Sequence, residues 1–161
     1  MEMDALTGIM GRRMFLHHCD MAQKTNAQHA GWFLFVDVDY FKAINDTLGH
    51  STGDKVLREI AQKLQHTFED TGKVGRLGGD EFAVLIEQLL TPEDLKQRLE
   101  QFLKDISTLL SDRTVSCSIG ACQFTFPKNV NHLLGETDVI LYQAKEKGRA
   151  CYVIKTCGAD E

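Results

Sequence analysis

The sequence predicts one α/β domain built on a mixed sheet of about five strands flanked by helices. Three observations carry that expectation. Trp32 to Val36 is an unbroken apolar, aromatic and β-branched run, the composition of a buried central strand. Val74 to Leu77 and Phe82 to Ile86 flank Gly78-Gly79 and read as a β-hairpin. Segments whose apolar residues recur at helical spacing separate these runs, so some strands are joined by crossover helices and others by a hairpin.

In chain order, Met10 to about Gln28 favours a helix with an apolar face of Met14, Phe15, Cys19, Met21 and Ala22. The strand at 32–36 follows and ends in Asp37 and Asp39, at the C-terminal edge where α/β sheets place chemistry. A short helical piece at Phe41 to Asn45 and a glycine-containing turn lead to Val56, Leu57, Ile60, Ala61, Leu64 and Phe68, the core face of a longer helix. After the hairpin, Thr91-Pro-Glu-Asp supplies an N-cap with proline at the first helical position, and apolar residues from Leu95 carry that helix to Leu110. Val115 to Phe124 predicts a strand, Thr137 to Lys147 a helix closed by Gly148, and Cys151 to Ile154 a last short strand.

With 161 residues, 43% hydrophobic and 25% charged, the chain is sized for a single domain with one substantial core over 1–161. A net charge of −5 works against adhesion to nucleic acid or an anionic membrane, so a bound polyphosphate would rely on local donors or metal ions. No apolar run approaches the roughly 18 residues of a membrane-spanning helix, and MEMDALTG lacks the basic and apolar regions of a signal peptide. The domain is therefore expected in the cytoplasm. Cys19, Cys117, Cys122, Cys151 and Cys157 are odd in number and show no CxxC spacing, so they are expected as reduced thiols, outside any disulfide framework or zinc site.

Two acidic groups carry the chemistry: Asp37 and Asp39 after the apolar strand, and Asp80 and Glu81 at the hairpin tip. If strand and hairpin are neighbours, these carboxylates converge, and converging carboxylates repel unless a cation lies between them. Magnesium takes hard oxygen ligands from one or two carboxylates plus substrate phosphates, which suits a nucleotide site. Asp37 and Asp80 are the favoured ligands. Asp39 fits a metal and a solvated strand end equally well. Gly78-Gly79 serves either as a turn needing positive φ or as a turn that also admits a phosphate or base to the backbone.

Five motifs then fall in order: Asp4-Ala-Leu-Thr-Gly8 with Arg12-Arg13, Asp37-Val-Asp-Tyr-Phe-Lys42 through Asn45, His50, Gly53 and Asp54, Arg76-Leu-Gly-Gly-Asp-Glu-Phe82, Ser118-Ile-Gly-Ala121, and Leu141-Tyr-Gln-Ala-Lys145 to Arg149. On them, from Asp4 onward, the chain resembles the GGDEF domain family of diguanylate cyclases. The resemblance implies a ferredoxin-like βαββαβ core similar to adenylyl cyclase catalytic domains and polymerase palms. It implies condensation of two GTP into cyclic di-GMP with release of pyrophosphate, in a transient two-fold homodimer, with Mg2+ as cofactor and Mn2+ as a possible substitute. Neither nucleic acid nor membrane is an expected contact of the domain itself. The beginning at MEMDALTG suggests the output domain of a longer protein, whose upstream part would carry a sensory domain of unknown kind and any membrane anchor.

By the same resemblance, Asp37 and Asp80 would hold the metal through carboxylates and Val38 through its carbonyl. Asp80 would accept the 3′-hydroxyl proton, and Glu81 would serve a second metal or order the turn. Asn45 and Asp54 would read guanine, Asp54 by accepting from the N1 and N2 donors that adenine lacks. His50 would line that pocket, with a structural loop histidine as the other reading. Gly78 and Gly79 would admit substrate. Lys42, Lys145 and Arg149 would hold phosphates, Lys42 against developing charge. Lys145 and Arg149, four apart, are expected on one helix face, an arrangement that a solvated helix end also explains. Asp4 and Arg13 are read as structural.

Two positions depart from the family pattern. Ile9-Met10-Gly11 replaces the usual Leu-Pro-Asn before the arginines, and Glu69-Asp-Thr-Gly72 stands where many members carry an Arg-x-x-Asp product-inhibition site. No feedback by product through that site is therefore expected. A silent module of the same fold, holding GTP or a protein partner without turnover, is the competing reading. Such members have damaged signature residues, whereas Gly78 to Phe82 are intact. An enzyme accepting ATP to make a mixed dinucleotide is opposed by Asp54.

Overall fold

The structure is a computed structural model that describes residues 2–26 and 28–158; the expected domain over 1–161 also takes in 1, 27 and 159–161, which lie outside the described residues. Its elements are α1 (Arg12–Thr25), β1 (Ala30–Val38), α2 (Phe41–Leu48), α3 (His50–Phe68), β2 (Gly72–Gly78), β3 (Glu81–Ile86), α4 (Pro92–Ile106), β4 (Cys117–Thr125), α5 (Val130–Glu146) and β5 (Tyr152–Thr156). The sheet order is β2-β3-β1-β4-β5. β1 is antiparallel to both β3 and β4, and β5 runs parallel to β4. The expected mixed five-stranded sheet is therefore present, with β1 at its centre.

Side-chain alternation along β1 divides the core in two. Trp32, Leu34, Val36 and Val38 join the layer containing α3 and α4, while Phe33 and Phe35 join the layer containing α1 and α5. Trp32 is fully enclosed and satisfies its indole by donating from Nε1 to the Leu90 carbonyl at 2.9 Å. Asp37 continues the odd-numbered face, so the strand aims its carboxylate toward the α5 layer.

Helix ends follow local chemistry that apolar periodicity does not reveal. α1 begins at Arg12 because Gly11 is extended, and it closes where Asn26 Nδ2 donates to the Ala22 carbonyl at 3.0 Å. α4 keeps its predicted cap, with the Asp94 amide donating to Thr91 Oγ1 at 3.2 Å, but stops at Ile106, where the Ser107 hydroxyl donates to the Lys104 carbonyl at 2.6 Å. α5 starts at Val130, seven positions before the expected Thr137, since Asn129 caps the His132 amide and Leu133 is buried, which together outweigh the interior Gly135.

The expectation of five reduced thiols is overturned at one pair. Cys122 and Cys157 form a disulfide, with Cα atoms 5.9 Å apart. Parallel pairing of β5 with β4 brings them together: Gln123 faces Thr156, and the Cys157 amide donates to the Gln123 carbonyl at 2.8 Å. A separation of 35 residues hides this proximity from any spacing rule. Cys19, Cys117 and Cys151 are free, and burial pushes the Cys19 and Cys117 thiols up.

Candidate active site

The sheet order explains why acids separated by more than forty residues in sequence meet. In the register of β1 and β3, Asp37 is opposite Glu81, and the Val38 amide donates to the Asp80 carbonyl at 3.2 Å. The end of the central strand thus lies against the tip of the β2–β3 hairpin, where Gly78 and Gly79 supply φ of 148° and 50°. Asp37, Val38, Asp80 and Glu81 form one cluster.

The cluster is poorly neutralised. Burial first, and then the Asp37 carboxylate, push Asp80 up to about 6. Glu81 is raised as well, by burial, Asp37 and Asp138, with Lys145 and Arg12 opposing. Lys145 reaches in from α5 to pair with Asp37. Burial lowers its pKa, but the bond to Asp37 and the fields of Asp37 and Asp80 more than reverse that and raise it. One ammonium against three carboxylates leaves excess negative charge on hard oxygen donors, the donor set suited to a divalent magnesium-type ion.

Gly120 lets Lys145 get there. A Cβ at this position would lie 2.4 Å from the Leu141 amide nitrogen, so only glycine allows α5 to lie this close to β4. The Ser118-Ile-Gly-Ala121 motif marked the position, but its reason became visible only with the helix in place.

Arg76 and Asp4 brace the hairpin tip. Arg76 donates from Nε and Nη2 to the Gly79 carbonyl at 3.0 and 2.7 Å, and from Nη1 to the Asp4 carboxylate at 3.2 to 3.3 Å. Asp4 also accepts from the Thr7 amide and hydroxyl at 2.9 and 2.6 Å. Burial pushes the Asp4 carboxyl up, but the bonds from Thr7 and Arg76 outweigh it and hold the group below its ordinary value. Arg76, absent from the expected site residues, is the brace that sequence reasoning missed. Its signal was a charged residue inside the Arg76 to Phe82 motif with an acid, Asp4, in the opening motif to pair with. Arg13 is an exposed residue of α1.

The remaining expected residues occupy the α2–α3 corner and the end of α5. Lys42 is exposed and pairs with Asp46 at 3.2 Å. Asn45 presents a buried Oδ1 with no partner, packed so closely on Gly53 that a Cβ there would be 1.8 Å away. His50 and Asp54 are exposed and four apart on α3, hence on one face. No hydrogen bond among the described residues links this group to the acidic cluster. Arg149 corrects an expectation: α5 ends at Glu146, so Arg149 does not share a helix face with Lys145. It sits in the loop beyond with φ of 65°, its guanidinium 5.1 Å from the centre of the Tyr40 ring. Gly148, Arg149 and Ala150 all have positive φ, at about 1 kcal/mol or more for each non-glycine residue.

Asp39, open between metal and structure in the sequence, is satisfied within the protein. It is 6% exposed and accepts from Ser118 Oγ at 2.6 Å, Ser116 Oγ at 2.7 Å and the Ala150 amide at 2.9 Å. Those bonds occupy both carboxylate oxygens.

A family model described as "Diguanylate cyclase, GGDEF domain" matches residues 1–151. The chain is 36% identical over 156 residues to diguanylate cyclase DosC of Escherichia coli, covering 91% of this chain and 34% of that protein. It is 32% identical over 153 residues to diguanylate cyclase DgcS of Shewanella oneidensis, covering 92% and 51%. It thus spans about a third to a half of these relatives. Among solved structures it is similar to diguanylate cyclase SiaD of Pseudomonas aeruginosa, solved with its activator SiaC, with a TM-score of 0.85, 31% identity and coverage of 95% and 61%. The GGDEF domain of PA1120 from the same organism gives a TM-score of 0.82, 31% identity and coverage of 94% and 99%.

Proposed function

Because the chain belongs to the GGDEF diguanylate cyclase family, we propose that it joins two GTP molecules into cyclic di-GMP with release of two pyrophosphates. The observation that carries this reading is the convergence of Asp37, Asp80 and Glu81 on the end of the central strand, where Lys145 pairs with Asp37. The Asp37 and Asp80 carboxylates and the Val38 carbonyl would hold Mg2+, or Mn2+ with its similar taste for oxygen. When bound, the ion offsets charge on the phosphate oxygens and the attacking hydroxyl.

The chain's own groups bind and orient. Asn45 and Asp54 take the guanine edge, with His50 lining the pocket, and Gly78-Gly79 leaves the hairpin tip open to substrate. Lys145 exchanges Asp37 for phosphate oxygens, joined by Arg149, while Lys42 meets charge developing on the transferred group. Asp80 takes the proton of a 3′-hydroxyl as that oxygen bonds to the α-phosphorus of the other GTP. The bond from the α-phosphorus to its bridging oxygen breaks and pyrophosphate leaves. A second attack closes the ring.

Each domain brings one GTP, so turnover needs a two-fold encounter of two copies. Product does not feed back through residues 69–72, where Asp70 is engaged by Arg98 at 2.7 and 3.1 Å and Glu69 replaces the arginine. The test is GTP turnover with Mg2+ followed on dilution. Specific activity is expected to fall as the chain is diluted below about micromolar concentration, the range of weak transient association. Turnover that stays flat on dilution contradicts the two-copy mechanism.

A further inference from the structure

Asp39 lies two residues beyond a proposed metal ligand, yet both its oxygens accept from protein donors, and these bonds tie its own segment to two others. Ser116 precedes β4, Ser118 lies within it, and Ala150 follows α5. The backbone repeats the connection, the Asp39 amide donating to the Ser116 carbonyl at 2.9 Å. The segment held on the far side is the strained one: Gly148, Arg149 and Ala150 in succession adopt φ of 116°, 65° and 50°. Unfavourable backbone of this kind persists only where its surroundings fix it. The Ala150 amide on the Asp39 carboxylate is such a restraint, with the Arg149 amide on the Ala144 carbonyl at 3.2 Å.

Between these anchors stands Arg149, its guanidinium over Tyr40, which itself has φ of 56° and follows Asp39 directly in the chain. Arg149 follows α5, the helix whose Lys145 pairs with Asp37. Buried carboxylate, strained loop and stacked cation are therefore continuous.

We propose that Asp39 is a positioning residue for the triphosphate: by holding the Ala150 amide it fixes the 148–150 loop, and with Tyr40 it presents Arg149 to phosphate. The assignment rests on the reading of this site as a GTP site. Because Asp39 acts through the 148–150 loop, its influence is expected on phosphate recognition rather than on the base. Asp39→Asn retains size but removes the charge and one of the two accepting oxygens, so the hold on the Ala150 amide and the loop is weakened.

The experiment titrates the full chain with GTP and, separately, with guanosine, for wild type, Asp39→Asn, Arg149→Ala and the double variant. Asp39→Asn is expected to weaken GTP by about tenfold, the effect of misplacing one charge-assisted bond, with guanosine changed by less than about twofold. The double variant should bind GTP about as weakly as Arg149→Ala alone, since the two act as one unit. Equal weakening of GTP and guanosine, wild-type GTP affinity in Asp39→Asn, or multiplied effects in the double variant would each overturn the assignment. Tyr40→Leu provides an arm that spares the buried carboxylate should Asp39→Asn fail to fold. It should weaken GTP by about threefold with guanosine unchanged, and Tyr40→Phe should restore binding. An unaltered Tyr40→Leu overturns the assignment too. Wild-type chain that binds neither ligand would instead sink the reading of the site, a different result from wild-type binding with an insensitive Asp39.

Discussion

Asp37 and Asp39 lie two residues apart at the end of the central strand, and the fold treats them in opposite ways. Asp39 is buried and receives three donors. Asp37 faces Glu81 across the register, stands close enough to Asp80 to raise it, and has one ammonium for company. A carboxylate supplied with donors is a structural part. Carboxylates left to repel one another lower stability, and that cost is offset only by something that binds there.

The largest effect that tests this contrast is on activity. Asp80→Ala should reduce cyclic di-GMP formation by about a thousandfold or more, as loss of a metal-binding and proton-accepting group does. It should leave the melting temperature unchanged or raised, because it removes a repelling charge. A large drop in melting temperature would place Asp80 with Asp39 as a structural residue. Asp39→Ala should behave in the reverse sense and destabilise the fold by about 3 kcal/mol in urea unfolding, since it strands buried donors. Ser118→Ala removes one of those donors and should cost about 1 kcal/mol. A Ser118→Ala loss equal to that of Asp39→Ala would mean that the carboxylate is not the shared acceptor.

The smallest effect concerns the brace on the hairpin tip. The Asp4 carboxyl is held below its ordinary value, so its contribution is complete above the unfolded-state value near about 4 and is lost as pH falls through the lower folded-state value. Arg76→Gln should reduce that acid-dependent stability by less than about 1 kcal/mol and leave stability at neutral pH sensitive to the freed Gly79 carbonyl. An acid limb identical to wild type would show that the Asp4–Arg76 pair is not what holds Asp4.

Much of the fold was legible because apolar runs and turn glycines are local. The run at 32–36, the glycine pair at 78–79 and the cap at Thr91 each specify their element without knowledge of the rest. Asp37 and Asp80 were legible as a pair because a strand end and a hairpin tip are the places where acids accumulate for chemistry. What stayed hidden was nonlocal. The donors to Asp39 need β4 and the loop after α5, and the Cys122–Cys157 bond needs the parallel pairing of β4 and β5. Arg149 was misplaced on a helix because nothing in its composition announces three successive residues of positive φ. The first turns of α5 stayed hidden because the Asn129 cap that starts the helix shows only in side-chain geometry. Among the described residues no helix is long and apolar enough to cross a membrane, in keeping with the absence of a long apolar run.

The measurement that bears most directly on the central claim is chromatographic detection of cyclic di-GMP after the concentrated chain is incubated with GTP and Mg2+, with Asp80→Ala alongside. The account predicts product from the wild type and none from the variant. A folded wild-type chain that binds GTP yet forms no product, or an Asp80→Ala variant that forms it equally well, would contradict the assignment of the acidic cluster as the seat of the reaction.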